Sequence, residues 1–184
     1  MLIRHGATSA VRGAAFGDRE PLEEAACRRA RDLAGNLPSV ATAVAGPEPA
    51  CLQTAECLGL EAEGVAELGG CDVGRWRGRT LDELETSDPI GLMAWLSDPD
   101  ATPHGGESLA DFARRVAAWM DTAATGKGFL VAVVDAGVVK AAVCAALRAP
   151  SSAFWRLDVA PLNLTELHAR DGRWTVRSLN APLA

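Results

Sequence analysis

Apolar residues follow two different patterns in the second half of the chain. Over residues 107–122 they recur at i, i+3, i+7, i+10 and i+11, the spacing of one face of a helix. These positions are Leu109, Phe112, Val116, Trp119 and Met120. Over residues 129–134 the apolar run is unbroken, which is typical of a central strand covered on both sides. Residues 138–147 predict a helix directly after that strand.

The rest of the chain continues this alternation of helix and strand signals. The other predicted elements are a helix over 21–37, a strand over 40–45, a helix over 49–58, a fixed loop over 72–80 and a hairpin over 163–169 and 174–179. Gly35 and Pro38 are suited to end the first of these helices. Asp171-Gly172 is a turn sequence typical of hairpins. Together the elements predict one α/β domain over residues 1–184.

Composition argues against several classes of protein. The chain has 184 residues, a net charge of −6, 48% apolar residues and 23% charged residues, which is ordinary for a globular domain. The negative charge argues against nucleic acid as a partner. No apolar stretch approaches the length of a membrane span, and no signal-peptide pattern is present. We therefore expect a cytoplasmic protein without a membrane partner.

Cysteine and histidine usage gives no sign of a metal site or a disulfide framework. The five cysteines are odd in number and include no CxxC pair, so we predict reduced, buried thiols. Three histidines are few for a zinc protein. We expect no metal and no cofactor.

The tripeptide Arg4-His5-Gly6 is the first candidate for chemistry. It directly follows apolar residues 1–3, and this places His5 at the carboxyl end of a first strand. Ligands bind at this edge of open α/β sheets. A histidine there is placed to attack a phosphoryl group, with Arg4 binding the phosphoryl oxygens and Gly6 allowing close approach of the backbone.

Six segments resemble a known family in its order and spacing. They are LIRHGAT (2–8), QTAE (53–56), DVGRWRGRT (72–80), PHGGES (103–108), VVDAGVVKA (133–141) and RWTVRSLN (173–180). In these segments the chain resembles the histidine phosphatase superfamily, the phosphoglycerate-mutase-like proteins, and most of all its small single-domain bacterial members. The resemblance implies a three-layer α/β/α sandwich with a mostly parallel central sheet.

The resemblance also implies a set of catalytic groups, of which this chain keeps a part. Family members use two arginines, two histidines and a carboxylic acid around the phosphate. Arg4 and His5 match the first arginine and the nucleophile. Ala50, Gly70 and Asp135 stand where the second arginine, the acid and the second histidine belong. We therefore predict a degraded phosphoryl-transfer site that does not support ordinary phosphatase activity.

Asp135 has two interpretations. It is suited to be the N-cap of the helix that follows it. Alternatively it is a catalytic carboxylate, or it pairs with His5 and orients the ring. Cys51 and Cys71 are next to Ala50 and Gly70 in the sequence. Free cysteines usually behave as small buried apolar side chains. The alternative is that these two form part of a new thiol or metal site.

Three further residues are candidates for ligand binding. Asp72 is a carboxylate near the missing acid. His104 is a candidate for the mouth of the pocket, and Glu107 is next to it in the PHGGES segment. Glu107 and Ser108 also fit the start of a helix.

Three hypotheses about function remain open. The first is a repurposed enzyme that uses His5 and Asp135 for acid/base chemistry on a small molecule. The second is noncatalytic binding of a small-molecule ligand, in the cleft beside His5, or of a partner protein. The third is a weak phosphomonoesterase with His5 as the phosphorylated nucleophile. The sequence leaves open whether the protein is an enzyme and whether it forms a homodimer.

Overall fold

One mixed sheet forms the centre of the molecule. We describe a computed structural model over residues 1–17, 19–37, 42–126 and 128–183, and within these ranges the sheet has six strands. They are β1 (Leu2–Arg4), β2 (Thr42–Ala45), β3 (Glu63–Gly64), β4 (Leu130–Val134), β5 (Asn163–Arg170) and β6 (Arg173–Pro182). The spatial order is β3-β2-β4-β1-β5-β6. The first four strands in this order run parallel to one another. Strand β5 runs antiparallel to β1, and β6 runs antiparallel to β5.

Helices cover both faces of this sheet. In the described ranges the α-helices are α1 (Ser9–Arg12), α2 (Glu24–Leu33), α3 (Pro49–Cys57), α4 (Leu81–Ser87), α5 (Pro89–Ser97), α6 (Leu109–Ala123) and α7 (Ala136–Leu147). None of them is both long and apolar enough to cross a membrane. The predicted helices over 49–58, 107–122 and 138–147 are confirmed with shifts of one or two residues at most of their ends.

Other predicted boundaries differ more. The helix predicted over 21–37 is shorter, because Glu23 is extended and Ala34–Asn36 form a 3₁₀ turn. The predicted strand over 40–45 is observed as β2, while Val40 and Ala41 lie outside the described residues, as does Pro38. Helices α4 and α5 were not predicted. Their start signals are local, namely the Thr80 capping box and Pro89 in the first turn.

Strand β4 divides the core into two layers. Val131 and Val133 pack on one side with Ile3 and residues of α2 and α3. Ala132 and Val134 pack on the other side with residues of α6 and α7. These four β4 side chains are fully buried. They pack on two sides in turn because successive side chains in a strand alternate between faces. The result is the three-layer α/β/α sandwich expected from the sequence.

A separate aromatic cluster packs beyond the edge of the sheet. Trp76 is 1% exposed and contacts Phe16, Trp95 and His104 at centroid distances of 5.0 to 6.1 Å. The Trp76 indole N–H also donates a hydrogen bond to Asp88. Trp76 therefore anchors the loop that precedes α4.

One prediction about the cysteines is wrong. Cys27 on α2 and Cys57 on α3 form a disulfide, with their Cα atoms 5.6 Å apart. Helices α2 and α3 pack side by side on one face of the sheet, so two residues separated by 30 positions meet in space. Cys51 and Cys144 are buried free thiols, as predicted, and Cys71 is a half-buried one.

We expect reduction of the Cys27–Cys57 disulfide to lower the free energy of unfolding by about 3 kcal/mol, because the open chain regains the entropy of a loop of this length. Urea unfolding with and without dithiothreitol measures the loss. The double variant Cys27→Ser/Cys57→Ser should match the reduced protein and should not respond to dithiothreitol. A reductant effect of equal size on this variant would contradict the prediction.

Candidate functional site

The register of β1 against β4 determines where the site forms. The two strands are parallel, with Arg4 opposite Val134, and the His5 amide donates to the Val134 carbonyl at 3.0 Å. His5 and Asp135 each follow directly after these paired residues, so their side chains emerge together at the carboxyl edge of the sheet. A cavity of about 830 Å³ opens there, and both residues line it.

His5 is held in one orientation. Its side chain is 8% exposed, and Nδ1 lies 2.7 Å from the Gly6 carbonyl oxygen. Because a carbonyl only accepts hydrogen bonds, Nδ1 carries a proton and Nε2 is the atom turned to the cavity. Gly6 packs closely against its neighbours: a Cβ atom there would lie 2.6 Å from Leu22 Cδ1, and its amide donates to Thr54.

Asp135 is the N-cap of α7 and also lies beside His5. Its Oδ1 accepts a hydrogen bond of 2.6 Å from the Gly137 amide, so it is the N-cap of α7. Its Oδ2 lies 3.6 Å from His5 Nε2. Burial by itself would raise the pKa of Asp135, but His5, the Gly137 amide and Arg4 outweigh it and lower the pKa to about 2. The carboxylate therefore stays ionised beside His5.

This lowered pKa predicts a pH-dependent contribution to stability. The ionised Asp135 stabilises the fold fully above its ordinary pKa of 3.8, and the stabilisation is lost as the pH falls toward 2. Because the side chain is 39% exposed, solvent screening reduces the effect to about 1 kcal/mol. Asp135→Asn keeps an N-cap, so we expect it to be less stable than wild type at pH 6 and equal to it near pH 2. Denaturant unfolding at both pH values measures this.

The matched control for that measurement is Asp121→Asn, at an exposed position on α6. It should show no comparable pH-dependent difference from wild type. A stability difference between Asp135→Asn and wild type that persists unchanged at pH 2 would contradict the prediction.

Arg4 lines the cavity and keeps one donor unpaired, because its Nε is buried without a hydrogen-bond partner. Its Nη1 donates to the Val159 carbonyl, and its guanidinium faces the carboxylates of Asp135 and Asp158. Lys140, which also lines the cavity, faces the same two carboxylates. The two carboxylates therefore partly offset both positive charges.

Glu48 is the site residue that sequence reasoning missed. Ala50 and Gly70 both line the cavity, and the Glu48 carboxylate lies between them. Its Oε1 accepts a hydrogen bond of 2.7 Å from the Gly70 amide, and its Oε2 is buried without a hydrogen-bond partner. The local sequence indicates only a helix start at Glu48, because the contact to Gly70 spans 22 residues.

The remaining candidates divide into two groups. Asp72 lines the cavity at its exposed rim and forms an ion pair with Arg77. His104 and Glu107 do not line it. The His104 ring is 1% exposed, packed against Trp76, and burial lowers its pKa. The Glu107 carboxylate is bound by Arg115. The structure therefore does not bring these two side chains into the cavity, and each one makes a contact with a neighbouring structural residue.

The cysteine alternative gains no support from the geometry. Burial, with Glu107 as the second cause, raises the pKa of Cys71 to about 12, and burial raises that of Cys51 well above its ordinary value. Both thiols are neutral at physiological pH and so are poor nucleophiles. Among the residues described, no three His, Cys, Asp or Glu side chains are grouped as ligands of one metal ion.

Overall, the charge of the cavity is unfavourable for a phosphate. Of the described residues that line it, five are carboxylates and three are cations. The carboxylates are Glu20, Glu48, Asp72, Asp135 and Asp158, and the cations are Arg4, Arg77 and Lys140. The side chains of Phe16, Trp95 and Trp155 also line the cavity, and because Trp95 contacts the other two they form an aromatic wall.

Comparison with known proteins decides the family. The family model described as histidine phosphatase superfamily (branch 1) matches residues 1–182. The chain belongs to the histidine phosphatase superfamily. A bifunctional protein of Mycobacterium tuberculosis is 33% identical over 98% of this chain and 53% of its own length. The chain thus spans about half the length of the curated relatives that it matches over nearly all its residues.

Solved histidine phosphatase structures have the same fold. The alpha-ribazole phosphatase from Shigella flexneri superposes with a TM-score of 0.86 at 22% identity, covering 98% of this chain and 95% of that one. A mycobacterial glucosyl-3-phosphoglycerate phosphatase in complex with VO3 gives 0.84 at 24% identity, covering 98% and 97%. At these identities the similarity establishes the fold, and the chemistry of the site has to be argued from its own residues.

Proposed function

We propose that this superfamily member binds a small, non-phosphorylated molecule in the cavity beside His5 and acts on it by acid/base chemistry. The observation that carries the proposal is the 3.6 Å contact between Asp135 Oδ2 and His5 Nε2. Nucleophilic attack on phosphorus needs the Nε2 lone pair to face the phosphoryl group. A carboxylate oxygen 3.6 Å from that atom repels the phosphoryl oxygens.

The same geometry suits proton transfer. The bond from Nδ1 to the Gly6 carbonyl fixes the tautomer, so Nε2 is the atom that gains or loses a proton. Asp135 is held ionised, and as an N-cap it keeps its Oδ2 beside His5 Nε2. A histidine oriented by a carboxylate is a common general acid or base. We place residues 1–184 in one domain that acts in the cytoplasm; homodimer formation remains an accompanying hypothesis.

Hydrolysis of a panel of phosphomonoesters, including p-nitrophenyl phosphate, tests the proposal. We expect the purified chain to show no hydrolysis above that of His5→Ala, and no phosphohistidine after incubation with substrate. Calorimetric titration with orthophosphate and with vanadate should show no binding at millimolar concentrations. Hydrolysis that disappears in His5→Ala would overturn the proposal in favour of the alternative, a weak phosphomonoesterase with His5 as the nucleophile.

A further inference from the structure

Lys140 differs from nearly every other cation of this chain. Of the 18 lysines and arginines, two are lysines, Lys127 and Lys140. Lys140 lies on α7, less than two turns after Asp135, and lines the cavity. An arginine at such a position stays protonated under all physiological conditions, whereas a lysine amine can lose its proton and become a nucleophile. The acid/base pair of His5 and Asp135 leaves this amine unused.

Burial and neighbouring groups act in opposite directions on the Lys140 amine. The side chain is half-buried, and Nζ lies 5.5 Å from the centre of the Phe154 ring, a contact that favours the charged form. Burial is the largest influence and lowers the pKa of the amine. The carboxylates of Asp158 and Asp135 act in the opposite direction, and the Arg4 charge lowers the pKa further. The net result is a pKa below that of an ordinary lysine.

We propose that Lys140 is a nucleophilic amine that binds a carbonyl-bearing small molecule covalently, as an imine. The proposal rests on the ligand-binding cavity of the proposed function and not on the identity of its acid/base reaction. The ligand class follows from the lining: the carboxylates disfavour an anion, and the aromatic wall favours an apolar body. An uncharged or cationic aldehyde or ketone with an aromatic or aliphatic body fits both.

The step balances without a redox partner. The Nζ lone pair forms a bond to the carbonyl carbon, and the carbonyl π pair moves to oxygen, which takes up a proton while nitrogen releases one. The resulting carbinolamine loses its hydroxyl group as water and becomes the imine. Asp158 is a carboxylate that acts on the amine and lines the same cavity, and it is placed to accept and return these protons.

Reductive trapping of the full-length wild-type chain tests the proposal. Benzaldehyde with sodium cyanoborohydride converts an imine into a stable benzylamine, which peptide mass spectrometry assigns to one residue. At pH 7 we expect Lys140 to be labelled on the order of tenfold faster than Lys127, because the aromatic wall holds the ring of the probe. The rate at Lys140 should also stay high at lower pH than the rate at Lys127.

Two controls separate the cavity from general amine reactivity. Formaldehyde gains little from the aromatic wall, so the preference for Lys140 should shrink with it. In guanidinium chloride the two lysines should react equally. Lys140→Arg should lose the label at 140 and leave the rate at Lys127 unchanged. Equal labelling of the two lysines in the folded chain, or an equal preference with formaldehyde, would overturn the proposal. Either result would leave the phosphatase assay of the proposed function unaffected.

Discussion

Restoring three side chains, with Ala50→Arg, Gly70→Glu and Asp135→His, is expected to raise the hydrolysis of p-nitrophenyl phosphate on the order of 10⁴-fold or more over wild type. Each substitution supplies a group that phosphoryl transfer needs at a position that lines the cavity. The arginine binds the transferred group, the glutamic acid protonates the leaving oxygen, and the second histidine removes the carboxylate that faces His5 Nε2.

The size of the expected gain comes from three separate effects. A bidentate arginine on a desolvated phosphate is worth roughly 2–5 kcal/mol. A general acid contributes on the order of 10²–10⁴ in rate. Removing a carboxylate from contact with the phosphoryl oxygens relieves repulsion of about 4 kcal/mol at an intermediate dielectric. The expected gain is smaller than the product of the three effects, because they are not additive within one site.

A side chain can start at Gly70 without a steric clash, but the carboxylate of Glu48 lies close to it. An ideal Cβ at Gly70 lies 3.6 Å from Glu48 Oε1 and 3.9 Å from Asp135, which is ordinary contact. The negative charge of Glu48 is next to the new carboxylate, so the triple variant is also made with Glu48→Gln. Adding His5→Ala to either variant should abolish hydrolysis. Triple variants that fold, bind vanadate and still do not hydrolyse the ester would contradict the prediction.

The second large effect is expected at Arg115 on α6. Its guanidinium donates two hydrogen bonds to the Glu107 carboxylate, at 3.0 and 2.7 Å. It also donates to the carbonyls of Glu67, Gly69 and Gly70. Arg115 therefore fixes the loop that carries Gly70 into the cavity. We expect Arg115→Met to lower the free energy of unfolding by about 3 kcal/mol, because it leaves a mostly buried carboxylate and three carbonyls unpaired.

Urea unfolding measures this loss, and the neighbouring residue provides a matched control. Arg114 is on the same helix and pairs with Asp111 at the exposed surface, so Arg114→Met should change stability by no more than about 0.5 kcal/mol. The double variant Arg115→Met/Glu107→Gln should recover part of the loss, because the substitution at residue 107 removes the carboxylate charge that Arg115→Met leaves unpaired. Equal losses for Arg114→Met and Arg115→Met would show that the loop does not depend on these hydrogen bonds.

Local patterns predicted much of the fold for identifiable reasons. The apolar face of α6 and the apolar run of β4 were predictable because the buried positions of each element follow its own geometry. The Asp171-Gly172 turn depends on backbone conformation alone, and both residues have positive φ. Helices α4 and α5 were missed because their apolar residues pack on the aromatic cluster around Trp76 and not on the sheet. The disulfide was missed because residues 27 and 57 meet only when α2 and α3 dock.

At the site, the sequence by itself determined which groups are present: Arg4 and His5, with Ala50, Gly70 and Asp135 at the other matched positions. That information is local, since motif order and spacing carry it. The tertiary structure decided what these groups face. In the folded chain Asp135 lies beside His5 Nε2, and Glu48 accepts a hydrogen bond from Gly70. Lys140 lines the cavity, whereas His104 and Glu107 do not. Such contacts depend on strand register and helix docking between residues distant in the chain, and no spacing within a single segment encodes them.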